Sequence, residues 1–226
     1  MKIWRDIMFF LFPASCDVCG RVLADGEEVM CSYCNLGLPR TNFHRHEDNE
    51  VARLFWGRVK VDRAASFFFF NKGSDYQKLL HKLKYQGRGD IGVYLGKIYA
   101  AEIMNSDFAM ADMIVPVPLH PRKRRRRGYN QSMKIAEGIS EVLKIPIEAK
   151  NLQRSKFTDT QTNRNRFDRF LNMQDKFEVK DPEPLAGKIV MLVDDVVTTG
   201  STVEACVGLL LEAGVEGVYV VTVAVA

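Results

Sequence analysis

Apolar residues along the chain fall into two kinds of pattern. Ile189–Val193 and Gly217–Val225 are apolar runs without alternation, and Ala64–Asn71, with Phe67–Phe70 inside it, is a third. Such runs predict strands buried on both faces, as in a parallel sheet covered by helices. Ile114-Val115-Pro116-Val117-Pro118 predicts another core strand, its prolines marking where ladder pairing stops. Helical spacing runs through Asp75–Tyr85, Ile91–Met104, a stretch ending near Leu143, and Ser201 to about Glu212. In the last of these, Cys206 shares the apolar face with Val203, Leu209 and Leu210, so it is a core residue. Strands alternating with helices give an α/β fold, a twisted and mostly parallel sheet flanked by helices. The expected division is a cysteine-bearing unit with a short N-terminal helix over 1–40, a polar linker over 41–59, and the α/β domain over 60–226. Lys150–Phe170 is too polar and basic for a core element and predicts a long loop, which inside a compact domain is functional or disordered.

Composition changes this picture little. The 226 residues are 46% hydrophobic and 27% charged, a globular balance, with a net charge of +4 that permits an anionic ligand or nucleic acid without requiring either. No apolar run has the length of a bilayer span, so no membrane insertion is expected. The N-terminal run Ile7–Phe12 is shorter than a secretory core and is preceded by Asp6, which predicts an amphipathic helix on a cytoplasmic protein. No G-x-x-x-x-G-K-[ST] or G-x-G-x-x-G occurs, which argues against a nucleoside-triphosphatase or a dinucleotide enzyme.

Cysteines add the first chemistry. Cys16, Cys19, Cys31 and Cys34 stand as C-x₂-C-x₁₁-C-x₂-C, two knuckles that each aim a pair of sulfurs at one centre. Four thiolates suit tetrahedral Zn²⁺ and leave no open position, so the site is structural. Disulfides fit poorly with a chain that lacks an export signal, and a redox dithiol needs one pair only.

The densest chemistry lies in Lys188–Ala205, KIVMLVDDVVTTGSTVEA. After the apolar run come Asp194 and Asp195, then Thr198, Thr199, Gly200, Ser201 and Thr202 where the strand turns into a helix. Helix capping accounts for one or two of these residues, but not for the string. A hydroxyl-rich turn at a helix N-terminus aims N–H groups and hydroxyls at one point, as a phosphate monoester requires. Two adjacent carboxylates need a cation or hydroxyl donors, which Mg²⁺ or a sugar diol supplies. A ribose 5-phosphate carries both the phosphate and the diol. Six consecutive basic residues, Arg122–Arg127, follow the Ile114–Pro118 strand and precede Gly128. They admit a nucleic-acid patch, a solvated charge run, or a pyrophosphate-binding loop. Their place at a strand's carboxyl end, facing the same crevice as the Asp-Asp/Thr-Thr-Gly turn, favours the pyrophosphate, with Arg127 and then Arg122 as its contacts.

VMLVDDVVTTGST resembles the phosphoribosyl-pyrophosphate (PRPP) motif of type I phosphoribosyltransferases. With LHKLKYQGR at Leu80–Arg88, VPVPLHP and RGYNQS, and the four cysteines, the chain as a whole resembles the ComF family. The resemblance implies a type I phosphoribosyltransferase-like domain behind a zinc ribbon, with PRPP or another 5′-phosphorylated ribose as ligand. It implies transfer of the phosphoribosyl group to an acceptor with release of pyrophosphate, Mg²⁺ near Asp194 and Asp195, and a loop that closes over the ligand. In that loop Arg154, Lys156, Thr158, Gln161, Arg169 and Asn172 match the family's R-x-K-x-T-x-x-Q…R-x-x-N arrangement, whereas Arg164 stands where an apolar residue is expected. Arg154 and Lys156 are the implied catalytic cations for the leaving group, and Lys84 is implied to reach ligand phosphate. The family's association with competence and DNA uptake implies a second possibility, a non-catalytic PRPP sensor. Such a sensor would bind single-stranded DNA, or a DNA-uptake protein, through the basic loop and the ribbon.

Overall fold

The computed structural model describes residues 14–154 and 177–226, so the expected N-terminal helix and most of the loop lie outside the described residues. In chain order the elements are α1 (Ser32–Leu36), α2 (Glu50–Arg53), β1 (Arg63–Phe69), α3 (Gln77–Tyr85), α4 (Gly89–Ile103), β2 (Met113–Pro116) and α5 (Pro121–Arg127). There follow α6 (Gln131–Leu143), β3 (Leu152–Arg154), β4 (Phe177–Val179), β5 (Ile189–Val197), α7 (Ser201–Glu212) and β6 (Gly217–Val225). One parallel sheet runs in the order β1-β6-β5-β2, as the unalternating apolar runs predict. β3 and β4 pair antiparallel and form the base of the expected loop.

Both faces of the sheet are covered. Met191, Val193, Val221 and Val223 belong to the core beneath α4 and α6, and Val190, Leu192, Val218 and Val220 to the core beneath α7. This is the alternation of a pleated strand, with apolar residues on both sides. Cys206 is fully buried in the second core. Helices α4 and α6 approach so closely that a Cβ on Gly138 would lie 2.1 Å from the Val93 carbonyl oxygen, and one on Gly96 2.2 Å from that of Ile135. Among the described residues no helix is long and apolar enough to cross a membrane.

Three local expectations change. β5 does not stop at Val193: its pairing with β6 continues through Asp194↔Thr222, Val196↔Ala224 and Val197↔Val225, so the acidic pair lies within the strand. The basic run is a short helix, α5, rather than a loop. Pro121 opens it, His120 Nδ1 accepts the Arg122 N–H at 3.1 Å, and Gly128, at φ 83°, closes it by donating its N–H to Arg124 O. Proline at the first turn and glycine just past the last are start and stop signals, and arginine is a good helix former between them. The segment 41–59, expected as a linker, is packed. Asn49 caps α2 and donates to the Ala64 carbonyl at 2.9 Å, while Val51 and Phe55 are fully buried against the second core.

The cysteine unit packs against α3. Val18, Leu23, Val29, Met30 and Leu38 join Leu79, Leu80 and Leu83 of α3 in one continuous core.

Candidate functional site

β5 delivers the acidic pair, and a three-residue turn then enters α7. Gly200 holds φ 75°, a left-handed conformation that favours glycine, and a Cβ there would lie 3.0 Å from the Phe55 ring. The turn is braced from the 41–59 segment. Phe55 and Leu54 lie against Gly200, Arg58 donates to Thr199 O at 3.0 Å, and Arg58 pairs with Glu204 on α7. The N-cap residue of α7, Gly200, has no side chain to cap its first turn. Thr199 and Ser201 hydroxyls lie 3.1 Å apart, and Asp194 together with residues 196–203 lines one small hollow. Uncapped N–H groups, hydroxyls and a carboxylate thus share one concavity at a helix N-terminus, a place suited to an oxyanion beside hydroxyl groups.

The two carboxylates have different surroundings. Asp194 Oδ1 accepts from Ser132 Oγ at 2.9 Å and from the Asp195 N–H at 2.8 Å. Burial, and then the adjacent Asp195 charge, push the Asp194 carboxyl up to about 7, against the pull of the Asp195 N–H, the Ser132 hydroxyl and Lys84. Asp195 Oδ2 pairs with Lys84 Nζ at 3.0 Å. Lys84 therefore sits over the site, as the LHKLKYQGR stretch implies, but its partner is a carboxylate. Ser132 and Lys84 complete the acidic pair's shell. Ser132 lies inside RGYNQS, and its place two residues after the Asn130 cap is the signal that could have singled it out.

The basic helix divides its cations. Arg127 donates from Nη1 to Gln131 Oε1 at 2.7 Å and lies over the Tyr85 ring at 5.2 Å, on the α3 side of the crevice. Among the described residues, Arg127 Nε and Gln131 Nε2 are buried donors without an acceptor. Two such donors side by side favour an anion, because a buried donor left unmade is costly. Arg122 is exposed at the start of α5, and Gly128 follows its end. Arg154 does not join this group. It stacks on Phe177 at 5.1 Å, burial lowers its pKa, and it lines a separate cavity of about 350 Å³ with Arg124, Gln153 and Met133. Lys156, Thr158, Gln161, Arg164, Arg169 and Asn172 lie outside the described residues.

The four cysteines do converge. Their sulfurs lie within 4.8 Å of one another, Cys19 and Cys31 at 3.8 Å, and ligand bonds of about 2.3 Å around a tetrahedral metal place sulfurs ~3.8 Å apart. Burial opposes ionisation of Cys16, but N–H groups of Cys19, Cys31 and Val18 hold its pKa down to about 7, while burial and the other sulfurs push Cys34 up. A cation at the centre is what allows all four to ionise together, so the donor set fits a metal ion.

Comparison with known proteins finds a family and relatives for this chain. The family described as "Phosphoribosyl transferase domain" matches residues 126–226. DNA utilization protein YhgH of Salmonella typhi is 33% identical over 91% of this chain and 87% of its own length, and that of Escherichia coli (strain K12) is 30% identical over the same shares. Competence protein F of Haemophilus influenzae is 32% identical over 63% of this chain and 64% of its own. Among solved structures, glutamine PRPP amidotransferase from B. subtilis is similar over 63% of this chain and 30% of its own, at 25% identity and a TM-score of 0.46. A phosphoribosyl transferase domain, four clustered cysteines ahead of it, and relatives at this identity over nearly the whole chain make this protein a member of the ComF family.

Proposed function

We propose that the protein binds PRPP with Mg²⁺ and transfers its phosphoribosyl group to an acceptor, releasing pyrophosphate. The observation that carries this reading is the hollow shared by Asp194 and the 198–202 turn. Thr198, Thr199, Gly200, Ser201 and Thr202 would hold the 5-phosphate, and Asp194 and Asp195 the ribose hydroxyls. Arg122, Arg127 and the backbone at Gly128 would hold the pyrophosphate, a role supported by the unpaired buried donors of Arg127 and Gln131. Bound Mg²⁺ would neutralise pyrophosphate charge. The bond from C1 to the pyrophosphate oxygen breaks, its electron pair leaves on that oxygen, and the acceptor's lone pair forms the new bond to C1. Fixed cations beside the departing oxygens stabilise charge where it develops. Arg154 and Lys156 are proposed for the leaving group, and Arg154 would have to leave the Phe177 ring to serve. Zinc at Cys16, Cys19, Cys31 and Cys34 would be structural, on a cytoplasmic protein with 1–40 as ribbon and the remainder as the catalytic body.

A second reading, a PRPP sensor that also binds single-stranded DNA, is favoured by one observation. Lys123, Arg124, Arg125 and Arg126 are exposed, and among the described residues none pairs with a carboxylate. Relatives carry the names DNA utilization protein and Competence protein, which suits a link to DNA uptake.

Calorimetry with PRPP and Mg²⁺ on the wild type and on Asp194→Asn/Asp195→Asn tests the first reading. Binding is expected to vanish in the double variant while zinc content stays the same, and equal binding by both proteins would sink the assigned role of the carboxylates. Pyrophosphate release then separates the enzyme from a sensor that holds PRPP without turnover and binds single strands with steep salt dependence.

A further inference from the structure

Helix α3 and the residues that flank it touch both the cysteine centre and the acidic pair, and each knuckle of that centre has its own contact with this segment. Asp17, next to the first cysteine and 5% exposed, accepts from Lys82 Nζ at 2.8 Å and from Arg88 Nη1 and Nη2 at 3.0 and 2.8 Å. In the same knuckle the Val18 carbonyl accepts from Lys78 Nζ at 3.3 Å. In the second knuckle the Cys34 carbonyl accepts from Tyr76 Oη at 2.9 Å. Lys78 and Lys82 are four residues apart and so share one face of the helix. The far end of α3 meets the other side. Lys84 pairs with Asp195, the Tyr85 ring lies under Arg127, and the Leu83 carbonyl accepts from Tyr129 Oη at 2.6 Å.

We propose that α3 is a strap through which the cysteine centre fixes the crevice, with Asp17 as the positioning residue that sets Lys84 against Asp195. The step from the crevice to ligand affinity rests on the PRPP reading; the strap itself does not. A nine-residue helix is ~13 Å long and moves as one piece, so a shift at its ribbon end reaches its C-terminal end. Asp17 is a nearly buried carboxylate held by two cations, the kind of pair whose loss leaves an uncompensated charge. With the metal bound, the knuckles are one rigid unit and α3 is held from both of them. Once they separate, Tyr76, Lys78, Lys82 and Arg88 lose a common anchor.

The test uses the full chain, with Asp17→Asn, Lys84→Met and the double variant, leaving all four cysteines in place. Amide hydrogen exchange is followed in residues 77–85 and 201–212, before and after zinc removal by a chelator, alongside PRPP affinity with Mg²⁺. Asp17→Asn and chelation are each expected to speed exchange in 77–85 while 201–212 stays protected. PRPP affinity is expected to fall roughly 2- to 30-fold in Asp17→Asn, the range of energies that couple linked sites. Lys84→Met is expected to remove most of the further effect of Asp17→Asn, because both changes act on one contact. Unchanged exchange in 77–85, equal acceleration in both helices, or additive losses in the double variant would overturn the strap. If Asp17→Asn does not fold, Arg88→Gln breaks the same pair from the domain side and is read in the same way. Absence of PRPP binding by the wild type would refute the PRPP reading, and the exchange measurement would still decide the strap.

Discussion

Asp194 gives a prediction in which pH, stability and ligand affinity are tied together. Its carboxyl is moved from 3.8 up to about 7 by burial and by Asp195. The folded chain therefore holds a proton between those values that the unfolded chain has released. The contribution of Asp194 to stability is greatest below pH ~4, falls as pH rises to about 7, and is level above it. At about 1.4 kcal/mol per pH unit, that rise sets a ceiling of about 4 kcal/mol on the cost of the ionised form. Relaxation around the buried carboxylate reduces this to an expected ~2 kcal/mol between pH 5 and pH 8. Asp194→Asn keeps an oxygen for Ser132 and the Asp195 N–H but cannot ionise. Urea melts of the two proteins should diverge by about that amount on going from pH 5 to pH 8, with Asp194→Asn the more stable at pH 8. If PRPP and Mg²⁺ require the ionised carboxylate, calorimetric affinity should weaken by about tenfold per pH unit below about 7. Parallel pH profiles for the two proteins, or an Asp194→Asn that is less stable at pH 8, would refute the reasoning.

Other expectations concern the frame around the site. Gly200→Ala places a methyl 3.0 Å from the Phe55 ring at φ 75°, and should cost about 2 kcal/mol in denaturant melts, with PRPP affinity lost as the turn shifts. Gly138→Ala drives a methyl into the Val93 carbonyl at 2.1 Å, against backbone that cannot rotate away. The helices must part, so a loss of about 3 kcal/mol or more is expected by calorimetric melting, with no direct change at the acidic pair. Elemental analysis should find one zinc per chain, and Cys31→Ser should lose it together with thermal stability.

Much of this could be read from residue order. Buried strands announce themselves by unbroken apolar runs, so β6 and α7 appear at Gly217–Val225 and Ser201–Glu212 as expected. The turn at 198–202 is legible because hydroxyl residues and a glycine interrupt the passage from an apolar run to a helical pattern. What escaped depends on distant partners. Nothing local in 41–59 says that Phe55 will lie on Gly200 or that Arg58 will hold Thr199 O, 141 residues away. The family resemblance implies Lys84 over the site, yet its pairing with Asp195 depends on how α3 packs, which no spacing encodes. The basic run is helical for another reason: the proline and glycine at its ends are helix start and stop signals that its charge does not override.

The order of the strands has a consequence for synthesis. Among the described strands β1 leaves the ribosome first; Pro39–Thr41 bonds along one of its edges, but its partner in the sheet is β6, with Ser66 and Thr222 bonded across 156 residues. Until β6 emerges, β1 has one edge unpaired, and β5, which bears the acidic pair, lacks one of its two neighbours. Contacts that close so late make assembly slow and leave the nascent chain open to mispairing. A stalled chain that stops before Gly217 is expected to be a chaperone client, because β5 then lacks β6.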